Sequence, residues 1–350
     1  MPTLPNCEDY EISIDTAQLI KSDILTGGYV EKSADIIVRY VGGFCIVFPF
    51  YLKTGKKCAV RCWIANVSDV RERSRLVAEE LKRIQLPYFV NFEYIPNCIA
   101  TNAGVQPIIL MDWVEAQNIK EYVGTHLHDK DVLRKLAENF MQMVKCLHRY
   151  HISHGDLQHG NILIQEDGSI VLVDYDSMYV PALAGYADEI KGLAGYQHPA
   201  RWQNTMLSEK ADYFSELVIY ISIVALIYHP ELWDKLQISN TDTFLFSVKD
   251  LNNPSESELM DYLLTEGNQE LHNLAGTICK ELSKKTINDL VPLEEAVVSP
   301  FDRIKAKWKE KKPIQTIEFC PDTHQSRKAW NSLPIKEPLT TGEIRNKWNK

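Results

Sequence analysis

Three side chains in one short stretch have the types and spacing to manage a divalent cation and a hydroxyl. Between His154 and Asp176 the chain reads H-G-D-L-Q-H-G-N-I-L-I-Q-E-D-G-S-I-V-L-V-D-Y-D, with Asp156 five residues before Asn161 and Asp174 thirteen after it. Two carboxylates and a carboxamide offer hard oxygens, the ligands that Mg²⁺ prefers, and one of them can orient a hydroxyl. Two β-type runs, Ile162–Ile164 and Ile170–Val173, flank Asp167-Gly168, a dipeptide suited to a tight hairpin turn. The spacing predicts paired strands with Asn161 and Asp174 at one end and Asp156 just before the first strand.

The elements that must position these groups are legible on both sides. Upstream, Ile36–Val41, Phe44–Leu52 and Cys58–Ile64 are β-type, with Lys53-Thr54-Gly55-Lys56 as a turn between the last two. Asp69 to Ile84 reads as a helix in which Leu76, Val77, Leu81 and Ile84 form the apolar stripe, and Glu80 falls inside that stripe. An acid on a buried face wants a cation. Pro107–Val114 reads as a buried strand, and Leu133, Leu136, Phe140, Met143, Val144 and Leu147 repeat at helical spacing just before His154. Downstream, the longest apolar run, Leu217 to Tyr228, is too short to span a bilayer and suits a buried helix. Residues 230–300 read as further helices between Asn/Pro/Ser loops. Residues 1–35 carry few signals beyond the loop at Thr26-Gly27-Gly28, and the segment before it is expected to pack on the first lobe.

A chain of 350 residues with 45% apolar content can bury the core of one two-lobed domain or two small ones. No charged-then-apolar leader precedes it, so nothing reads as a signal peptide. Eight cysteines lie scattered without C-x-x-C pairs, Cys58 and Cys62 share one face of a strand, and Cys320 with His324 is too isolated for a zinc site. Reduced thiols in a cytosolic protein fit that pattern. The net charge of −9 hides an asymmetry: from Phe301 onward 12 Lys/Arg face 6 Asp/Glu, while the remainder carries 26 against 41. An acidic body argues against general nucleic-acid binding. In the basic tail Trp308, Trp330 and Trp348 have the composition to stack on nucleic acid, but docking onto the chain's own domain is the preferred reading.

H-G-D-L-Q-H-G-N followed by V-D-Y-D resembles the catalytic loop H-R-D-x-x-x-x-N and the D-F-G metal motif of protein kinases, over about residues 36–295. It also resembles bacterial stand-alone kinase-like proteins carrying these two motifs. The resemblance implies an α+β fold, bilobal and protein kinase-like, with a small β-rich N-lobe and a larger α-helical C-lobe. Residues 1–35 would be an N-terminal extension, 36–114 the N-lobe and hinge, 115–300 the C-lobe and 301–350 a basic tail. Asp156 is then the catalytic base, Asn161 and Asp174 hold Mg²⁺ or Mn²⁺, ATP is the nucleotide, and the setting is cytoplasmic. Ala59-Val60-Arg61 matches the strand ending in the ATP-pairing lysine. Arg61 would orient the phosphates, with Glu80 as its ion-pair partner and Glu79 as the fallback. Tyr40–Val47 overlies the phosphate lid G-x-G-x-F-G-x-V and keeps Gly42, Phe44 and Val47. Met111 is the gatekeeper, the backbone of Asp112–Val114 meets the adenine edge, and Glu115 and Asn118 lie near the ribose. Gly192 to Pro199 matches the close of an activation segment, so the span from Asp174 to Asp212 would receive a protein substrate or partner. Asp212, at a helix start, would anchor the catalytic-loop backbone. No membrane partner is implied.

The departures matter as much. Tyr40 and Cys45 stand where lid glycines are expected, which stiffens the lid. Arginine at 61 is longer and planar where lysine is usual. Gly155 replaces the arginine of H-R-D, so no basic residue there can receive an activation-loop phosphate. Gln158 replaces the lysine that touches the transferring phosphate and removes a positive charge. Asp176 replaces the glycine of D-F-G, restricting backbone flips and adding a negative charge near the metal. Ala200 replaces the glutamate of A-P-E, so its usual ion pair must be absent or rebuilt. Three readings stay open: a Ser/Thr protein kinase, a pseudokinase scaffold, and a small-molecule kinase of the aminoglycoside or choline type. Against the last stands the length of the Asp174–Asp212 segment.

Overall fold

Period-two alternation in the first third of the chain builds a sheet with two different faces. The structure is a computed structural model and describes residues 4–65 and 69–297; the basic tail with its three tryptophans lies outside the described residues. Helix α1 (Cys7–Asp15) precedes strands β1 (Tyr29–Val30), β2 (Lys32–Ser33), β3 (Ile36–Ile37), β4 (Tyr40–Val41), β5 (Cys45–Tyr51) and β6 (Lys57–Trp63). Helix α2 (Val70–Ile84) then leads to β7 (Phe92–Thr101) and β8 (Gly104–Asp112). The main sheet runs β1-β5-β6-β8-β7, with β4 also on β5. Residues i and i+2 share a face. On the outer face Ile46, Phe48 and Phe50 of β5 and Cys58, Val60 and Cys62 of β6 pack with Tyr10, Ile14 and Leu25 from the N-terminal segment. On the inner face Ala59 and Trp63 join the larger core, and Arg61 lies between them.

One expectation shifts here, and one strand had none. The run Ile36–Val41 is divided, because Ala34 and Asp35 adopt left-handed backbone and turn β2 onto β3 as a separate hairpin. Only Tyr40–Val41 reaches the main sheet. Strand β7 has no clear sequence signature, since Pro96 and Asn97 interrupt it. It tolerates them at the sheet's edge through a register shift between Ile95 and Ile99.

The second lobe is helical. Strand β9 (Gln117–Asn118) enters α3 (Ile119–Thr125), whose start is closed by a reciprocal Asn118–Glu121 capping box. Helix α4 (Lys130–Arg149) buries all six of the residues expected on its stripe. Strands β10 (Ile162–Ile164) and β11 (Ile170–Leu172) form the expected hairpin, with β9 beside β10. The apolar run becomes α5 (Tyr213–Tyr228), buried along most of its length and packed on α4. Helices α6 (Leu232–Lys235), α7 (Val248–Asn252), α8 (Glu258–Thr265), α9 (Gln269–Leu282) and α10 (Leu293–Ala296) complete the lobe. No helix among the described residues is long and apolar enough to cross a membrane.

The outer core has a direct consequence for truncation. Tyr10, Ile14 and Leu25 are almost fully buried, and such side chains contribute about 1.5–3 kcal/mol each. A chain begun at residue 36 is expected to be insoluble or to melt at least ~10 °C lower than the full chain. Expression followed by thermal denaturation checks this; equal melting would show the segment to be dispensable.

Candidate active site

The hairpin delivers its end residues as the spacing requires. Ile162 pairs with Leu172 and Ile164 with Ile170. Gly168 closes the turn with φ +79°, its N–H donating to the Gln165 carbonyl at 2.9 Å. The Val173 N–H donates to the Asn161 carbonyl at 3.0 Å, which extends the ladder and brings Asn161 and Asp174 out together. Asn161 Nδ2 donates to the Asp156 carbonyl at 2.8 Å and to Asp156 Oδ2 at 3.2 Å, leaving Oδ1 for a cation. Asp174 has a left-handed backbone, φ +66°, a conformation that aspartate tolerates at some cost and that clusters at functional sites. Its side chain is 52% exposed. Burial raises the Asp156 pKa above the ordinary aspartate value, against the lowering effects of His154 and of the Leu193 N–H, which lies 2.9 Å from Oδ1.

The loop carrying Asp156 is held from beneath. Asp212 caps no N–H group of α5; its buried carboxylate instead accepts the backbone N–H of His154 and, at 2.9 Å, that of Gly155. The anchoring role expected of Asp212 is therefore visible in the geometry. His154 Nε2 bonds the Val173 carbonyl at 2.9 Å and ties the loop to the hairpin.

On the opposite wall Arg61 is 4% exposed and reaches across the cleft. Its Nη1 lies 3.3 Å from Asp174 Oδ1, and its Nη2 donates to Asp176 Oδ2. Burial opposes the charge on this guanidinium, but Asp176 and Asp174 more than restore it, so its pKa lies above the ordinary arginine value. The expected Arg61–Glu80 ion pair is not formed. Glu80 turns to Arg83 at 2.6 Å and Glu79 to Arg75 at 2.5 Å, both along α2 itself. The reason is rotational: the charged side chain that α2 buries is Arg73, whose Nη2 donates to the Asp176 carbonyl at 3.1 Å. Arg73 falls four residues before Val77, so helical spacing places it as near the apolar stripe as Glu80.

The remaining nucleotide candidates lie on the sheet, on the segment after it and on the catalytic loop. Met111 is buried opposite Ala59, and Val47 is the register partner of Arg61. The Asp112 N–H is taken by the Asn91 carbonyl at 3.2 Å and its carboxylate by Lys56 at 2.6 Å. Val114 lies in the segment between β8 and β9 and has no backbone partner among the described residues. At the lid the Gly42 N–H donates to the Cys45 carbonyl at 2.9 Å, and a Cβ on Gly42 would meet nothing closer than 3.7 Å. Tyr40 tilts against Trp113, ring centroids 6.0 Å apart, where a lid glycine was expected. Gln158 turns its Oε1 to the Gly160 N–H at 2.7 Å, folding back onto its own loop. No group of three His, Cys, Asp or Glu side chains among the described residues could enclose a metal alone. One carboxylate and one carboxamide oxygen do fit Mg²⁺ or Mn²⁺ that completes its shell with phosphate oxygens and water.

Residues 41–293 match the family of the protein kinase domain. The chain belongs to the protein kinase family. It is 27% identical over 156 residues to a mitogen-activated protein kinase kinase of Pyricularia oryzae, covering 43% of this chain and 37% of that protein. It is 26% identical over 129 residues to a serine/threonine-protein kinase of Saccharomyces cerevisiae, covering 34% of this chain and 16% of the relative. The chain thus spans well under half the length of either.

Within the kinase domain, two departures acquire a physical reason. Gly155 has φ +79°, and a Cβ there would lie 2.0 Å from the Ser177 carbonyl oxygen, so no side chain fits where H-R-D has arginine. The charge that kinases place near this loop comes instead from Arg201, fully buried, whose Nη1 donates to the Gly155 carbonyl at 2.5 Å and to Gln197 Oε1 at 2.6 Å. Its Nε and Nη2 reach Asp188 at 3.3 Å each, and Lys191 joins the same carboxylate at 3.2 Å. In place of the pair lost with Ala200, the next residue, Arg201, makes a different one with Asp188 inside the segment itself. Sequence reasoning named neither Asp188 nor Arg201, because no local spacing links them. Gly155→Ala is expected to lower stability by about 2–4 kcal/mol through backbone strain and overlap. Urea unfolding checks this, and an unchanged midpoint would mean that the Ser177 segment moves aside freely.

Proposed function

We propose that the chain is an ATP- and Mg²⁺-dependent protein serine/threonine kinase. Asp156 receives the proton of the substrate hydroxyl, Arg61 holds the α- and β-phosphates, and Asn161 with Asp174 supplies the metal oxygens. A Mg²⁺ held there would neutralise charge on the phosphates. The observation that carries the reading is the convergence of Asp156, Asn161 and Asp174 on one mouth, with buried Arg61 reaching Asp174 from the facing lobe. The segment between Asp174 and Asp212 presents Leu193, Trp202 and Met206 to solvent, an apolar platform suited to a peptide beside the reacting serine or threonine. That platform favours a protein over a small-molecule substrate.

A scaffold that binds nucleotide without transfer is the second reading. It is favoured by Gln158, whose carboxamide is spent on its own loop where a phosphate-directed lysine is usual. Incubation with γ-labelled ATP and Mg²⁺ or Mn²⁺ separates the two. A positioned base contributes about 10²–10⁴ in rate, so Asp156→Asn should lose transfer by that factor while keeping its ATP affinity. Equal labelling by wild type and variant would overturn the enzymatic reading. Nucleotide at a hundredfold above Kd stabilises the fold by about 2.7 kcal/mol. Asp174→Asn is expected to abolish the part of the thermal shift that depends on metal, measured with Mg²⁺ against EDTA.

A further inference from the structure

Two buried cations meet the segment after β11 where the kinase pattern asks for one. Arg61 on β6 and Arg73 on α2 are 4% and 5% exposed, and buried guanidinium groups persist only when paired. Helix α2 supplies no acid for them, because Glu79 and Glu80 are spent on Arg75 and Arg83. Both acids come instead from the segment after β11. Arg61 spans Asp174 and Asp176, and Arg73 grips the same segment through the Asp176 carbonyl. The two acids differ in freedom: the Asp174 side chain is 52% exposed and the Asp176 side chain 14%. An exposed carboxylate can turn toward a metal, whereas a buried one bonded to Arg61, on a residue whose carbonyl is held by Arg73, stays where it is.

The geometry points to Asp176 as the positioning residue that presents Arg61 to the nucleotide phosphates, the task the kinase resemblance gave to an acid on α2. The inference rests on the nucleotide-binding reading above. A guanidinium has five N–H donors in a fixed fork. The two carboxylates engage Nη1 and Nη2 through one donor each, so the second N–H of each nitrogen remains for phosphate oxygens, while Nε is buried without an acceptor among the described residues. When Asp174 serves a metal, Asp176 is the acid that still holds the Arg61 guanidinium, which β6 delivers opposite Val47 of β5. Aspartate in place of the D-F-G glycine thereby moves the counter-ion of the phosphate-binding cation from the helix to the metal-binding segment.

The test uses the full chain and two probes, Mg²⁺–ATP and adenosine, which lacks the phosphates. Asp176→Asn is expected to weaken ATP binding about tenfold, and to leave adenosine affinity within about twofold of wild type. Arg61→Gln should show the same split. An effect that acts through Arg61 disappears once Arg61 is gone, so Arg61→Gln/Asp176→Asn should bind ATP no worse than Arg61→Gln alone. That comparison stands even if Asp176→Asn alone fails to fold. Wild-type ATP affinity in Asp176→Asn, a further loss in the double variant, or an equal loss in Glu80→Gln would each overturn the assignment while leaving the nucleotide reading intact. A wild type that binds no ATP would overturn both.

Discussion

The carboxylate of Asp212, 1% exposed at the head of α5, takes the N–H groups of His154 and Gly155, and the remainder of the site depends on where this fixes the loop. Two buried N–H donors without that acceptor would each carry a desolvation penalty of about 1–3 kcal/mol. From the anchored loop the chain of contacts runs outward: His154 to the Val173 carbonyl, Val173 to Asn161, Asn161 to Asp156. Because α5 is enclosed along most of its length, the anchor sits in close-packed interior that does not yield. The three oxygen-bearing side chains therefore inherit their mutual placement from a residue that touches none of them.

Charge around the site falls into two ion-paired sets, and Arg73 of one lies within electrostatic reach of Asp188 of the other. Arg201, Lys191 and Asp188 form the first, wholly within the segment that follows the metal motif. Arg61, Asp174, Asp176 and Arg73 form the second, joining the two lobes. Each set contains buried arginine and a carboxylate in reach, the condition under which such burial is sustained. Both also use residues that stand one or two places from where the kinase pattern has its own charges, Arg201 after Ala200 and Asp176 after Asp174.

Local information was enough for much of the site. The hairpin, the α4 stripe and the apolar α5 rest on turn chemistry or periodicity confined to a few residues, and each stands as expected; Asp212 came from the kinase resemblance, and it holds the loop without capping α5. What escaped needed distance or rotation. Glu80 and Arg73 both fall near the apolar stripe of α2, and only the packing of that helix decides which turns inward. Strand β7 was hidden by Pro96 and Asn97, which read as breakers until an edge position and a bulge accommodate them. The bond between Arg201 and Asp188 joins residues thirteen apart through an irregular segment, where no period applies.

The N-terminal segment has a kinetic implication. Its Lys21 N–H donates to the Cys98 carbonyl at 2.7 Å, Ile20 bridges to Ile99, and Asn102 bonds Asp9 at 2.6 Å. These contacts join the opening of the chain to a hairpin that appears some eighty residues later. Pairings of such separation must close a long loop before they return any stabilisation, and topologies rich in them fold slowly. On a ribosome the apolar side of α1 is therefore made early and waits for β7 and β8 to emerge. Until then Tyr10 and Ile14 can cover only β5 and β6, so the outer core stays partly open through most of the lobe's synthesis, the condition in which a growing chain is most prone to stray association.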